Sequence, residues 1–264
     1  KKMIQMTDHL FNSDILNKII IKHTLAADTV SQLEGFCSYV YSVCDFQGNK
    51  HILKVSHSSR ISKESLASEL DFTKHLSNLG INICKPSTEP QNIEEISDNK
   101  GGYFFSYLYQ FIEGDDFSEK ENKTKEDFQY AGELLAKFHN ASESFDWKSH
   151  SERQDFINRD FVDYKDIIPK SETYTHQRFD SIIEELKNIK KTESNFGMTH
   201  GDAHDGNFIQ KDKRLTLIDF DDIEPGFYMN DIAVFLDHSC PEQTENSTEW
   251  VDFVFTNLMI GYKK

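Results

Sequence analysis

The sequence contains only four cysteines in 264 residues, and no two of them have the C-x-x-C spacing of a zinc or redox motif. Scattered cysteines of this kind fit free thiols in a reducing cytosol better than a disulfide framework. Long apolar runs are also missing, since nothing approaches 18 consecutive apolar residues, and no charged-then-apolar leader opens the chain. These absences argue against a membrane span, a signal peptide and a secreted disulfide scaffold, and they favour a cytoplasmic protein.

Positive charge is scarce and unevenly distributed along the chain. Residues 1–112 carry 11 Lys and Arg against 12 Asp and Glu, whereas residues 113–264 carry 18 against 33. The net charge is therefore −1 in the first part and −15 in the second, which together give −16. Such a field attracts cations and repels nucleic acid. A solvated acidic surface that serves only solubility is an equally good interpretation of this composition.

The most informative segment reads H-G-D-A-H-D-G-N from His200, followed by L-I-D-F-D-D from Leu217. Two short β-prone runs lie between these motifs on either side of the polar residues 211–213, and they predict a tight hairpin. Antiparallel pairing brings Asn207 level with Asp219 at the open end of that hairpin. An amide oxygen and a carboxylate are ligands that Mg²⁺ accepts together with nucleotide phosphates and water. Asp202, five residues before Asn207, is then placed as a base for a substrate hydroxyl.

These residues resemble the catalytic loop of protein kinases, in which an H-R-D aspartate is followed by a metal-binding asparagine and then by D-F-G. Gly201 in place of the arginine and Asp221 in place of the glycine look more like the aminoglycoside phosphotransferase and choline kinase superfamily. The resemblance implies that Asp202 is the catalytic base and that Asn207 and Asp219 hold Mg²⁺.

Three further residues are expected to support this loop. His200 is interpreted as a brace, and His204 either braces the loop as well or touches phosphate. Asp231 begins a D-I-A segment that resembles a helix start of the same superfamily. We expect it to be an N-cap or a buried brace and not a catalyst.

The first part of the chain contains the pattern of a nucleotide-binding lobe. A loop with Gly35 and Ser38 leads into a β-rich run, a turn at residues 47–49 and a returning strand that carries Lys54. A helix follows with Ser62 as N-cap, and it carries Glu69 in its middle. By resemblance, Lys54 binds the α and β phosphates and Glu69 pairs with it, with Glu64 as second choice. Each residue alone is more often a surface residue, and their order along the chain carries the interpretation.

The run from Tyr103 to Gly114 is aromatic and aliphatic, and it predicts a buried strand that ends where the chain must turn. The resemblance implies that this strand leads into the interlobe connection. The backbone of Gln110, Phe111 and Ile112 would then bond the adenine edge. A core strand without any ligand is an equally good interpretation of the side chains.

We expect an α+β, bilobal, protein-kinase-like fold. The N-lobe, residues 1–112, would hold an antiparallel sheet with one main helix and bind the nucleotide. The C-lobe, residues 113–264, would be mostly helical, with a capping box at Thr124 and Asp127, a structural His139 and the catalytic hairpin. Residues 86–102 are expected to form a loop. The chain ends at a G-Y segment after which many relatives continue and begins without Met, so it is either a compact member or a trimmed piece.

The predicted function is transfer of the γ-phosphoryl group of ATP, or of GTP, to a hydroxyl of a small molecule, with Mg²⁺ as cofactor. The acidic second part favours a cationic acceptor such as an aminoglycoside or an amino alcohol, and neither nucleic acid nor a membrane is an expected partner. The sequence does not indicate an oligomeric state. Candidate acceptor contacts are Asp221, Asp222 and Glu224 near the chemistry, and Trp147, Asp160, Asp163 and Tyr164 earlier in the chain.

Three other interpretations stay open. A bacterial Ser/Thr protein kinase of the same fold has a similar motif. A pseudokinase that only binds nucleotide is disfavoured because Lys54, Asp202, Asn207 and Asp219 are all intact. A metallohydrolase would use His200, Asp202, His204 and Asp219 as a His/Asp site.

Overall fold

Contacts within the chain divide it into two units. Unit 1 comprises residues 1–115 and 209–221, and unit 2 comprises residues 116–208 and 222–264. The structure, a computed structural model, describes residues 7–149, 153, 155, 167–239 and 247–263. The first boundary lies within three residues of the predicted one, but the segment 209–221, expected in the second lobe, belongs to unit 1.

The main sheet of unit 1 has five antiparallel strands. Their order is β1 (Ser31–Leu33), β2 (Tyr39–Cys44), β3 (Lys50–His57), β5 (Tyr103–Gln110) and β4 (Glu94–Ser97). The register sets Lys54 of β3 between Val40 of β2 and Tyr107 of β5. The lysine therefore lies on the central strand of the sheet, where it is only 5% exposed.

Unit 1 also contains two helices, one before β1 and one between β3 and β4. Helix α1 (Ser13–Lys22) buries Ile15, Ile19 and Ile20 in a core that also includes Tyr39, Leu53 and Phe104. Helix α2 (Lys63–Asn78) begins as predicted, because the Ser62 side chain accepts a hydrogen bond from the Ser65 N–H. It ends before Gly80, whose φ of 76° is the left-handed conformation common after a helix. Its buried face contains Leu66, Glu69, Leu70, Phe72 and Leu76.

The predicted hairpin is present as β8 (Phe208–Lys211) and β9 (Arg214–Leu217), joined by a two-residue turn in which Asp212 has a φ of 56°. It forms a small sheet of order β6-β8-β9 with β6 (Asp115–Asp116). Backbone hydrogen bonds from Cys84 N–H to the Leu217 carbonyl and from Leu217 N–H to the Asn82 carbonyl attach it to unit 1. These bonds explain why segment 209–221 belongs to unit 1.

Unit 2 is mostly helical. Its helices are α3 (Lys125–Ser142), α4 (Thr173–Asn188), α5 (Met229–Ser239) and α6 (Ser247–Tyr262). Helix α3 begins with the predicted capping box, in which the Thr124 side chain and the Asp127 side chain each bond the other residue's backbone. Strands β7 (Phe196–Thr199) and β10 (Glu224–Phe227) pair antiparallel and set Thr199 opposite Glu224. Strand β7 leads directly into the H-G-D motif.

The prediction of a loop over residues 86–102 was wrong in part. A 3₁₀ turn at Pro90–Asn92 and the edge strand β4 lie within it. The segment gave no strand pattern because only Ile96 of β4 is buried. The predicted strand of residues 103–114 also ends earlier, at Gln110.

No helix in the described residues is long and apolar enough to cross a membrane. Cys37, Cys44 and Cys84 are free thiols, and Cys240 lies outside the described residues.

Candidate active site

Asp202 and Asn207 lie close together on the loop that follows β7. The Asn207 Nδ2 donates to the Asp202 backbone carbonyl at 2.7 Å and lies 3.3 Å from the Asp202 Oδ2. Because its nitrogen is engaged with Asp202, the amide presents its oxygen as the atom suited to a cation. Asn207 is only 6% exposed, whereas the Asp202 side chain is 41% exposed. The loop thus combines an accessible carboxylate with a fixed amide.

His204 lies beside the Asp202 carboxylate. Its Nδ1 accepts a hydrogen bond from the Gly206 N–H at 3.0 Å, so the neutral ring carries its proton on Nε2. That Nε2 lies 3.6 Å from the Asp202 Oδ2. The ring also stacks on His238 of α5, with ring centres 4.7 Å apart. This arrangement suits the predicted role of His204 as a support of the loop.

Asp231 is completely buried in the first turn of α5, and it bonds the start of the catalytic loop. Its two oxygens accept from the backbone N–H groups of His200 at 2.8 Å and Gly201 at 2.9 Å. His139 Nε2 lies 2.9 Å from the same carboxylate. Burial alone would raise the pKa of Asp231, but the bond and charge of His139 and the contacts with His200 outweigh burial and lower the pKa. Of the two roles that the sequence left open, the structure shows the brace, because α5 begins two residues earlier at Met229.

His139, predicted to be structural, links two helices to this brace. It is 1% exposed on α3, and its Nδ1 lies 2.7 Å from the Tyr262 hydroxyl of α6. The ring stacks on Tyr228 at 4.5 Å. Helices α3, α5 and α6 are therefore connected, through His139 and Asp231, to the backbone of the H-G-D motif.

Gly201 shows why this chain has glycine where protein kinases have arginine. Its φ is 79°, and a Cβ atom there would lie 2.1 Å from the Asp222 carbonyl oxygen. No side chain fits such a close approach of two backbone segments, and the left-handed conformation also favours glycine.

In unit 1, the Lys54 ammonium lies among carboxylates. It pairs with the Asp219 Oδ1 at 2.6 Å and with the Asp221 Oδ1. Burial alone would lower the pKa of Lys54, but the charges of Asp219 and Asp221 outweigh burial and hold the pKa well above its usual value. Lys54 therefore stays protonated and available for an anionic ligand.

Asp219 has the features expected of a metal-binding carboxylate. Its side chain is 48% exposed, and its φ of 62° is a left-handed conformation that is uncommon outside glycine. Strained backbone of this kind is often found at functional sites. A half-exposed carboxylate with one oxygen on a lysine retains oxygen lone pairs for Mg²⁺.

Glu69, the predicted partner of Lys54, accepts a hydrogen bond from the Tyr109 hydroxyl at 2.8 Å. It is completely buried on α2. Its charge raises the pKa of Lys54, although less than Asp219 and Asp221 do. The pairs that the structure gives for the Lys54 ammonium are with those two aspartates.

The loop with Gly35 and Ser38 borders a cavity of about 340 Å³ that is lined by residues 32–35 and 38–40. The Ser38 hydroxyl donates to Asp221 at 2.6 Å and is 2.9 Å from the Ser56 hydroxyl. Backbone groups of this loop are thus placed to line a ligand, while the Ser38 side chain points into the protein.

In the segment expected to bind adenine, residues 110–112, two backbone N–H groups already donate hydrogen bonds within the protein. Gln110 N–H donates to the Lys85 carbonyl at 2.8 Å, and Phe111 N–H donates to the Lys50 carbonyl at 3.3 Å. The Cys84 thiol donates to the Gln110 carbonyl at 3.0 Å, and burial raises the pKa of that thiol to about 12. The Ile112 N–H and the carbonyls of Phe111 and Ile112 remain as candidates for an adenine contact.

The predicted acceptor contacts have different positions. Asp160, Asp163 and Tyr164 lie outside the described residues. Asp222 is half-buried and Glu224 is 2% exposed on β10. Asp221 is 7% exposed and bonded within unit 1, which differs from the open position that an acceptor contact requires.

Three residues that contact the candidate site gave no signal in the sequence. Arg60 Nη1 lies 3.3 Å from the Asp221 Oδ2, Tyr109 bonds Glu69, and His238 stacks on His204. Each contact joins positions at least 34 residues apart, so no local pattern marks them. In the described part of the chain, no three His, Cys, Asp or Glu side chains are grouped as a metal site of such ligands.

Each unit carries candidate residues of the kind that kinase-like phosphotransferases use. Comparison with known proteins gives the family. The profile of the phosphotransferase enzyme family (APH) matches residues 32–249, so the chain belongs to that family. This result confirms the resemblance and the fold class expected from the H-G-D and D-F-D motifs. Amicoumacin kinase from Bacillus subtilis (strain 168) is 28% identical over 226 residues, which are 84% of this chain and 66% of that protein. The chain thus spans about two thirds of the length of this relative.

Solved structures show the same fold. An amicoumacin kinase in complex with AMP-PNP, Ca²⁺ and Ami superposes with a TM-score of 0.90 at 25% identity, covering 99% of this chain and 80% of that one. A microcompartment-associated aminopropanol kinase gives a TM-score of 0.68 at 20% identity, with 94% and 79% covered. A spectinomycin phosphotransferase in complex with ADP and spectinomycin gives 0.63 at 14% identity, with 96% and 80% covered.

Proposed function

We propose that this chain transfers the γ-phosphoryl group of ATP to a hydroxyl of a small molecule. The observation that carries the proposal is the loop of unit 2, in which the accessible Asp202 lies beside the fixed amide of Asn207. Family membership and the protonated Lys54 of unit 1 support it.

In the proposed reaction, Asp202 orients the acceptor hydroxyl and accepts its proton. Lys54 would bind the α and β phosphates, and Asn207 and Asp219 would hold the metal. Bound Mg²⁺ would neutralise charge that develops on the phosphates. The loop around Gly35 and Ser38 would cover the phosphates, and the backbone near Ile112 would contact adenine. His200 and His204 would support the loop, and Asp231 would hold its start.

The similar proteins indicate which acceptors to test first. Two similar proteins are amicoumacin kinases, and a structural neighbour is an aminopropanol kinase. The excess of acidic residues in 113–264 favours a cationic acceptor, and Asp222 and Glu224 are the acidic residues that follow the D-F-D motif. ATP is the preferred donor in the proposal because a relative binds its analogue AMP-PNP. GTP remains the second donor to test.

The test measures ADP or GDP release by the purified protein with Mg²⁺ and a panel of acceptors that includes amicoumacin, aminopropanol, spectinomycin and kanamycin. Asp202→Asn should lower kcat by roughly 10²–10⁴-fold, the usual contribution of a general base, while nucleotide binding stays near that of the unaltered protein. Asp219→Asn should lower transfer and also weaken metal-dependent nucleotide binding. Asp212→Asn, an exposed change at the hairpin turn, serves as the control. Full activity of Asp202→Asn would exclude the assigned base.

The same purified protein can be used to test the two alternative functions, a protein kinase and a pseudokinase. A protein kinase of this fold would label proteins in an extract with the γ-phosphate of ATP and ignore the small-molecule panel. A pseudokinase would bind nucleotide without turning it over under any of these conditions.

A further inference from the structure

Asp221 occupies a place that differs from that of the other two carboxylates near Lys54. One oxygen, Oδ1, pairs with the Lys54 ammonium. The other, Oδ2, accepts from the Ser38 hydroxyl at 2.6 Å and from Arg60 Nη1 at 3.3 Å. Both oxygens are thus bonded, and the side chain is only 6% exposed. A buried carboxylate with such partners is fixed in position.

Asp221 and Lys54 form an ion pair in which both side chains are almost completely buried. Removing one partner of a buried ion pair is costly because the other charge is left without compensation. Lys54 and Asp221 therefore depend on each other in a way that an exposed pair would not.

Asp219 and Glu69 are less suited to hold the lysine. The Asp219 side chain is 48% exposed, so solvent weakens its attraction for Lys54, and the proposed function uses it for the metal. Glu69 accepts a hydrogen bond from the Tyr109 hydroxyl, whereas the ion pairs that the structure gives for the Lys54 ammonium are with Asp219 and Asp221. Asp221 is the carboxylate that combines burial, direct pairing with Lys54 and two further donors.

We propose that Asp221 is the main positioning residue for Lys54. It keeps the ammonium oriented toward the phosphates of the nucleotide. Through the Ser38 hydroxyl, it also fixes the glycine-containing loop relative to the lysine. This inference rests on the proposed function, because it concerns the nucleotide that Lys54 would bind.

A change at Asp221 should affect the binding of the phosphate groups and not the binding of the nucleoside. Lys54 would touch only phosphate groups, so a change at Asp221 should weaken ATP and ADP binding and leave adenosine binding unchanged. A residue that merely stabilises the fold would weaken all three. The experiment measures binding of ATP, ADP and adenosine to the purified full chain by titration calorimetry, with Mg²⁺ present.

Asp221→Asn keeps the size of the side chain and removes its charge. We expect it to weaken ATP and ADP binding by about tenfold or more, the scale of one hydrogen bond to a charged group. The matched control is Glu69→Gln, which should weaken binding by less than Asp221→Asn does. Equal or greater weakening in Glu69→Gln, or a parallel loss of adenosine binding in Asp221→Asn, would overturn the inference.

A second variant keeps the test decisive if Asp221→Asn does not fold, which circular dichroism would reveal. Ser38→Ala removes one donor to Asp221 without touching Lys54 directly, and we expect a smaller but still phosphate-selective loss. If Asp221→Asn does fold, the effect of Ser38→Ala should shrink in the double variant, because both changes act on one bond. Additive losses would contradict the linkage. Failure of the unaltered protein to bind ATP, ADP and GTP would overturn the proposed function as well, and so differs from failure of the inference alone.

Discussion

At the residue scale, Asp231 shows how one buried carboxylate holds the start of the loop that contains the H-G-D motif. Asp231→Asn replaces an oxygen with an amide group that cannot accept from both loop N–H groups and His139. Loss of a buried, multiply bonded charge of this kind typically costs about 3 kcal/mol. We expect a comparable decrease in the free energy of unfolding at pH 7, measured by urea titration. Asp237→Asn, an exposed change on the same helix, should have little effect.

The contribution of Asp231 to the free energy of unfolding should also depend on pH. Because the folded-state pKa lies below the usual value of 3.8, the stabilisation is present above that value and is lost as pH falls through the folded pKa. The difference in unfolding free energy between the unaltered protein and Asp231→Asn should therefore narrow as pH falls below about 4. A difference that grows on acidification would contradict the assigned charge state.

Gly201 permits a test that separates backbone strain from close contact. Gly80 has nearly the same φ, 76° against 79°, but nothing lies within 4 Å of a Cβ placed there. Gly80→Ala should therefore cost only the roughly 1–2 kcal/mol of a left-handed alanine. Gly201→Ala adds the contact with the Asp222 carbonyl, and we expect a larger loss of stability together with a large decrease in kcat. Equal stability losses in the two variants, measured by urea titration, would show that the contact can relax.

The sequence motifs indicate candidate residues for the chemistry, but they do not indicate which of those side chains pair. The spacing of Asp202, Asn207 and Asp219 was read directly from the motifs. The pairing of Lys54 with Asp221 was missed, because it depends on the direction of two side chains 167 residues apart. The family resemblance predicted Glu69 as the partner of Lys54. The structure shows that Glu69 accepts a hydrogen bond from the Tyr109 hydroxyl.

At the element scale, local signals predicted the helices well and the edge strand badly. Ser62, Thr124 and Asp127 mark helix starts with side-chain caps, which are local and therefore visible in the sequence. Strand β4 has a single buried residue, and its pairing with β5 supplies the structure that its composition does not.

The contact between α3 and α6 depends on two glycines. A Cβ at Gly132 would lie 2.0 Å from the Leu258 carbonyl oxygen, and one at Gly261 would lie 1.9 Å from the Gln129 carbonyl oxygen. Gly132→Ala and Gly261→Ala should each destabilise unit 2 by about 1–3 kcal/mol, because the helices must separate. The double variant should lose less than the sum of the two, since either change already separates the pair. Unfolding by urea measures these losses, with Asn140→Ala on the exposed side of α3 as a control expected within about 0.5 kcal/mol.

At the scale of the whole molecule, the chain is organised as two units whose sequences interleave. The sequence predicts a domain boundary after residue 112, where the strand pattern ends, and the first change of unit lies at residue 115. The return of residues 209–221 to unit 1 was not predicted, since it depends on backbone bonds between Leu217 and the segment at Asn82 and Cys84. Such bonds leave no trace in side-chain pattern.

The charge of the whole molecule provides a test of the acceptor class. Residues 113–264 carry a formal net charge of −15, and a cationic acceptor would be attracted over distances that salt shortens from about 10 Å at 0.1 M to about 3 Å at 1 M. Raising KCl over this range should increase the KM of a cationic acceptor several-fold and change kcat little. The KM of ATP, an anion, should not rise in the same way and serves as the internal control. A KM for the acceptor that is independent of salt would mean that the acidic surface serves solubility and does not select the substrate.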